Sequence, residues 1–174
     1  MSLRPGEVEA GLSRVYLPTT AAGLAAAHVA GVLPGPLRGH AVTPAVREWY
    51  TAGDLEELEY VALTAAAEAS LRLLADDPDL PRRRVVIAAD VPDDAVTVRH
   101  DARFRSAVLV SADVPVAAIA SVHVDEEAAA KVVAEAIIAL PAADDGDDDA
   151  AFVLDEAEAT ELLWYDISEL GDLI

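Results

Sequence analysis

The sequence predicts an α/β fold: a single mixed β-sheet with helices packed on it, in the order β-α-β-α-β, an antiparallel meander, then α-β. Three observations predict it. Val85-Val86-Ile87-Ala88-Ala89 is an apolar run without polar alternation, the pattern of a strand buried on both faces. Asp54–Asp76 carries helical periodicity behind an acidic cap. Strand-like and helix-like segments alternate along 174 residues, a length that suits one domain.

Taken in order, residues 1–13 lack periodicity and contain Pro5, Gly6 and Gly11, so they read as a disordered leader before a single domain over 14–174. Arg14–Pro18 is a short strand. Thr19 or Thr20 caps a helix that Gly31 stops. A loop over Gly31–Gly39 precedes a second strand at His40–Val42. Thr43-Pro44 is a cap followed by proline at the first helical position, where its missing N–H costs nothing. The short helix that follows carries Trp49 and Tyr50 and breaks at Gly53. Asp54 and Glu57 form a capping box for the strongest helix, whose stripe is Leu55, Leu58, Ala62, Ala65, Ala69 and Leu73. Val96–Val98, Ala107–Val110 and Val116–Val124 follow Val85–Ala89 as strands. Asp125 caps a helix that Pro141 ends. Residues 141–150 form an acidic loop, Asp155–Glu161 a short helix, and Leu163–Ile167 the last strand. Strand–helix–strand units imply parallel pairing through right-handed crossovers.

The chain has 32 acidic and 12 basic residues, net −20. Residues 1–105 hold 15 acids and 11 bases, whereas residues 106–174 hold 17 acids and Lys131 alone. Such a charge repels phosphate backbones and anionic membranes, so neither nucleic acid nor a membrane is an expected partner. A protein with a basic surface would suit it, although solubility alone also accounts for excess carboxylate. Cysteine is absent, which rules out disulfides and thiolate metal sites. There is no run of about 20 apolar residues, and Glu7 and Glu9 sit where a signal peptide needs positive charge. The expected location is cytoplasmic.

Three segments stand out as a set: Arg14-Val15-Tyr16-Leu17-Pro18, Ala41–Tyr50 with its Thr43-Pro44 and Trp49-Tyr50, and Leu162–Asp166, with Val122-His123-Val124-Asp125 between the last two. On these the chain, over roughly residues 14–174, resembles an actinobacterial family known only as a domain of unknown function. The resemblance implies one cytoplasmic domain and carries no activity, ligand or catalytic residue.

Both tryptophans precede a tyrosine, in Trp49-Tyr50 and Trp164-Tyr165. Large rings in an alanine-rich chain are expected to anchor its core. The functional alternative is a pocket wall or partner surface formed by Arg47, Glu48, Trp49, Tyr50, His123, Trp164 and Tyr165. Ser121, His123 and Asp125 alternate along one strand and are the residue types of an acyl-transfer triad. Neighbours on a strand face project side by side, about 7 Å apart, so convergence is not expected. The four histidines lack the close spacing of a zinc site. Asp145, Asp147, Asp149 and Glu156 match the ligand spacing of a calcium loop, with Ala150 in place of its turn glycine. Arg82–Arg84 are expected to pair with Asp76, Asp77 or Asp79.

No catalytic or cofactor signature emerges, and whether the protein is an enzyme stays open. Three readings are carried: a non-catalytic cytoplasmic interaction or regulatory domain with an acidic C-terminal half, a small-molecule enzyme with a pocket near the Trp-Tyr segments, and a cation-responsive domain using the acidic loop.

Overall fold

The computed structural model describes residues 11–173. The expected leader lies largely outside them, and Leu12 and Ser13 already belong to the first strand. In chain order the elements are β1 (Leu12–Thr19), α1 (Ala21–Ala30), β2 (Val32–Leu33), β3 (Leu37–His40), α2 (Pro44–Trp49), α3 (Leu55–Ala75), β4 (Val85–Pro92), β5 (Val96–Val98), β6 (Ala107–Val110), β7 (Val114–Pro115), β8 (Ile119–Val124), α4 (Ala130–Asp144), α5 (Asp148–Glu158), β9 (Leu163–Asp166) and α6 (Leu170–Leu173). Helices pack on a seven-stranded sheet ordered β5-β6-β3-β1-β4-β8-β9, with β2 and β7 as a separate ribbon.

Every strand pair among these residues is antiparallel, which corrects the expected parallel pairings. The cause is the place of β1. The helix-linked strands β3 and β4 do run the same way, but β1 lies between them and opposes both. The sheet is also coiled. Four inter-strand steps separate β4 from β5, about 19 Å in a flat sheet. Asp93–Ala95, the three residues joining them, reach no further than about 14 Å.

Helix starts follow their caps. Thr20, Thr43 and Asp54 each accept a backbone N–H at the head of α1, α2 and α3, and Asp54 and Glu57 complete the capping box. Gly31 closes α1 with φ of 73°, a left-handed conformation that glycine adopts without a Cβ penalty. The ends of α4 and α5 depart from expectation. Pro141 does not stop α4, which runs to Asp144. The last turn is held there by Arg72 and Arg103, both bonded to the Asp144 carboxylate. The acidic loop therefore shrinks to a turn over residues 145–147. Asp147 caps α5, which begins seven residues earlier than expected.

Strand alternation divides the core. Val15, Leu17, Val85, Ile87, Val122 and Val124 face a layer closed by α1 and α6. On the other face Tyr16, Val86 and Ala88 meet Ala62, Ala66 and Ala67 of α3. Small side chains let this helix sit close to the sheet. The buried stripe of α3 is Leu58, Ala62, Ala65, Ala66, Leu71 and Leu74, so the expected Leu55 and Leu73 turn outward. A third cluster joins α3, α4 and α5 through Leu71, Leu74, Val133, Ala136, Leu140 and Ala157.

The tryptophans are not the core anchors. Trp49 is 62 % exposed and Trp164 60 % exposed. Trp164 and Tyr165 are neighbours on a strand and must point to opposite faces. Tyr165 packs against the main core, and Trp164 goes to the face that α3 leaves open. Trp49 ends a six-residue helix whose single buried residue is Val46.

Candidate functional site

Helix α3 forms the spine of the candidate site. Tyr60, 54 % exposed on its N-terminal half, lines three clefts. One of about 270 Å³ lies between α3 and α5. A second of about 270 Å³ lies between α3 and the 99–106 segment, and Tyr50 lines it. The third, about 230 Å³, opens over the sheet face and holds Arg14, Tyr16, Glu59, Ser121, His123 and Trp164. Next to Trp49, the guanidinium of Arg105 stacks over the indole, 3.7 Å from the ring centroid. Tyr60 thus stands between the cleft that holds Trp164 and the cleft that holds Tyr50, and Trp49 stacks on Arg105 of the latter.

In the open cleft the face-alternation of β1, β4 and β8 presents polar groups in pairs. Arg14 binds Asp90 through Nε at 2.6 Å and Nη2 at 3.1 Å. The Tyr16 hydroxyl donates to Glu59 at 3.5 Å. Burial, with Glu59 adding to it, pushes the Tyr16 phenol up to about 12. Ser121 Oγ and His123 Nε2 share a hydrogen bond of 3.0 Å, so these two strand neighbours do converge, against expectation. Burial, and then the charge of Arg14, hold His123 below its ordinary value.

The third member of the supposed triad is elsewhere. Asp125 is fully buried and accepts from Arg84 Nε and Nη2, each at 2.8 Å, and from the Arg84 backbone N–H. It does not cap the following helix, whose first turn has no side-chain cap. Nor does Arg84 pair with Asp76, Asp77 or Asp79. Arg82 instead donates to the carbonyls of Leu74, Asp77 and Pro78, which terminate α3, and Arg83 donates to the Asp125 carbonyl.

The remaining sequence candidates scatter. Arg47 lines a separate cleft of about 500 Å³ beside Arg14 and Glu59, and Glu48 is exposed on α2. The calcium spacing is not realised as a loop: Asp149 and Glu156 lie inside α5, and Asp147 spends a carboxylate oxygen on the Ala150 N–H. No group of three or more metal-capable side chains converges among the described residues. His40 is buried, bonded through Nδ1 to Ser106 Oγ at 2.9 Å and packed edge-on against Phe104.

Burial pushes the His40 imidazole down to about 4 from 6.5, Asp101 opposing and Arg99 adding to the fall. The folded state therefore holds neutral His40 where the unfolded chain binds a proton. This contribution is complete above pH 6.5 and is lost as pH falls toward 4. Urea unfolding across that range should show stability dropping with pH, by less in His40→Gln than in wild type. Equal pH slopes in the two proteins would contradict the assignment.

Sequence reasoning did not single out Tyr60, Glu68, Arg103 or Glu158, and it gave Arg84 the wrong carboxylate partners. Tyr60, Thr64, Glu68 and Leu71 do fall at i, i+4 and i+3 spacing, a second stripe beside the alanine one. Glu68 and Asp144 bridge Arg72 and Arg103, tying α3 and α4 to the 99–106 segment with contacts of 2.7–3.4 Å.

Residues 13–174 match a family model described as a family of unknown function, DUF6912. The chain belongs to DUF6912. No curated protein and no solved structure matches it. The DUF6912 match covers every element apart from Leu12 at the start of β1, so the clefts around Tyr60 lie wholly within the family region. No helix among the described residues of this DUF6912 protein is long and apolar enough to cross a membrane.

Proposed function

We propose that this DUF6912 protein is a non-catalytic cytoplasmic interaction domain, and that the face around the N-terminal half of α3 docks a partner protein with a basic surface. One observation carries the reading: Trp49, Tyr50, Tyr60 and Trp164 are all more than two-fifths exposed, and Tyr60 shares one cleft with Tyr50 and another with Trp164, while Trp49 stacks on Arg105 of the Tyr50 cleft. Large rings left in water together are the usual anchors of a protein interface. Charge supports the partner class. Arg14 and Arg103 already hold carboxylates; Glu48, Glu56 and Glu161 have no ion-pair partner among the described residues, against Arg47 and the stacked Arg105 as cations without one. A basic segment would meet unspent carboxylates around an aromatic centre.

Both tryptophans report on the site, so a fluorescence titration tests the idea. An Arg/Leu peptide should shift the emission of the wild type, and an equal-length Glu/Leu peptide should not. Tyr60→Ala keeps both reporters and removes only the central ring. It should weaken the Arg/Leu peptide by about tenfold at physiological salt, the loss expected when an interface anchor is truncated. Equal affinity for wild type and Tyr60→Ala would show attraction to net charge alone and would overturn the proposal.

A further inference from the structure

The cleft between α3 and α5 has features that a protein-docking face does not need. Its walls are apolar, from Leu63 and Leu71 of α3 and from Leu154 and Leu162 on the opposite side. Its volume of about 270 Å³ falls just below the roughly 300–1,000 Å³ typical of small-molecule sites and suits a small ligand. Two kinds of charged group meet in it.

The first is Arg84, 3 % exposed and part of the lining. Its Nε and Nη2 are committed to Asp125, and Nη2 also donates to the Thr160 carbonyl at 2.9 Å. Nη1 has no hydrogen-bond partner among the described residues, yet it is not among the atoms sealed from solvent. A buried guanidinium with one unused edge at a cavity offers a hydrogen bond to an incoming acceptor. Because Asp125 neutralises its charge, that edge acts as a donor more than as a cation.

The second is a pair of carboxylates, Glu158 and Glu161, which also line the cleft and have no ion-pair partner among the described residues. Their neighbour Glu68 is already shared by Arg72 and Arg103. The unspent charge of the cavity is therefore negative, with a donor against its buried wall. An anion would be repelled by these carboxylates. A bare metal ion would find two carboxylates here, and no cluster of three or more candidate ligands exists among the described residues.

We infer that this cleft binds a small organic cation: a primary ammonium held by Glu158 and Glu161, an apolar body between the leucines, and a neutral oxygen acceptor facing Arg84. Such a ligand uses the free edge of Arg84 and both unpaired carboxylates, and the Tyr60 and Thr64 hydroxyls line the same cleft. The inference does not rest on the docking face.

Isothermal titration of the full chain with four compounds sharing one aromatic body tests it. Tyramine carries both the ammonium and the hydroxyl acceptor and should bind at submillimolar concentration. Phenethylamine lacks the acceptor and should bind several-fold more weakly. 4-Methylphenol lacks the ammonium and should lose about tenfold or more. 4-Hydroxyphenylacetate, with a carboxylate in place of the ammonium, should show no heat. Glu158→Gln should weaken tyramine about tenfold while leaving the melting temperature of the free protein in place. Leu154→Trp, which fills the cleft, should abolish binding. The inference is overturned by equal binding of the amine and the acid, by tyramine affinity unchanged in Glu158→Gln, or by no heat from either amine up to millimolar concentration.

Discussion

Asp125→Ala will destabilise the protein by about 3–5 kcal/mol, the cost of leaving a buried charge without its partner. Arg84 and Asp125 are 3 % and 0 % exposed, and the carboxylate accepts three hydrogen bonds from Arg84 alone. Through Nη2 the same guanidinium ties the end of α5 at Thr160 to the start of β4. Alanine removes the acceptors and leaves the cation in a low-dielectric site. At this chain length the loss should lower the melting temperature by roughly 10 °C. Replacing both partners, as in Arg84→Met with Asp125→Leu, should recover most of the loss, since a buried pair is worth little against well-packed apolar groups. Thermal and urea unfolding of the single and double variants checks this. A single variant within about 1 kcal/mol of wild type would show that Arg84 does not depend on Asp125 for its compensation.

Ile87→Ala should cost about 2–5 kcal/mol. Ile87 is fully buried at the centre of β4, between Leu17 of β1 and Val122 of β8. Packed strands on both sides cannot close the space left behind. Trp49→Ala removes a larger side chain and should cost only about 1 kcal/mol, chiefly its stacking with Arg105. This inversion, with the smaller buried residue mattering more than the larger exposed one, follows from where the core lies. Equilibrium unfolding of both variants settles it, and a greater loss from Trp49→Ala would contradict the packing described.

Local chemistry was readable in the sequence where one residue type does one job. Thr20, Thr43 and Asp54 cap helices because each side-chain oxygen meets the otherwise unpaired N–H three residues on. Val85–Ala89 reads as a doubly covered strand and is one. The errors share a cause: long-range partners compete for a residue whose local role looks settled. Asp125 precedes a helix as a cap would, but Arg84, 41 residues away in sequence, claims it. Pro141 looks like a stop, but Arg72 and Arg103 secure the turn beyond it. Strand–helix–strand order suggests parallel neighbours, but β1 takes the place between β3 and β4. The site was half legible. His123 and Trp164 do share a cleft, and Tyr50 lines the next one. Tyr60, which links them, was hidden because α3 carries two stripes and the alanine-rich one faces the sheet.

The rings around α3 are proposed to serve a partner and not the core. The most direct test is to melt Tyr60→Ala and to titrate it with the Arg/Leu peptide in the same buffer. The predicted result is a melting temperature within a few degrees of wild type, together with the tenfold loss of peptide affinity. A melting temperature that falls as far as that of Ile87→Ala, with peptide affinity unchanged, would contradict the account.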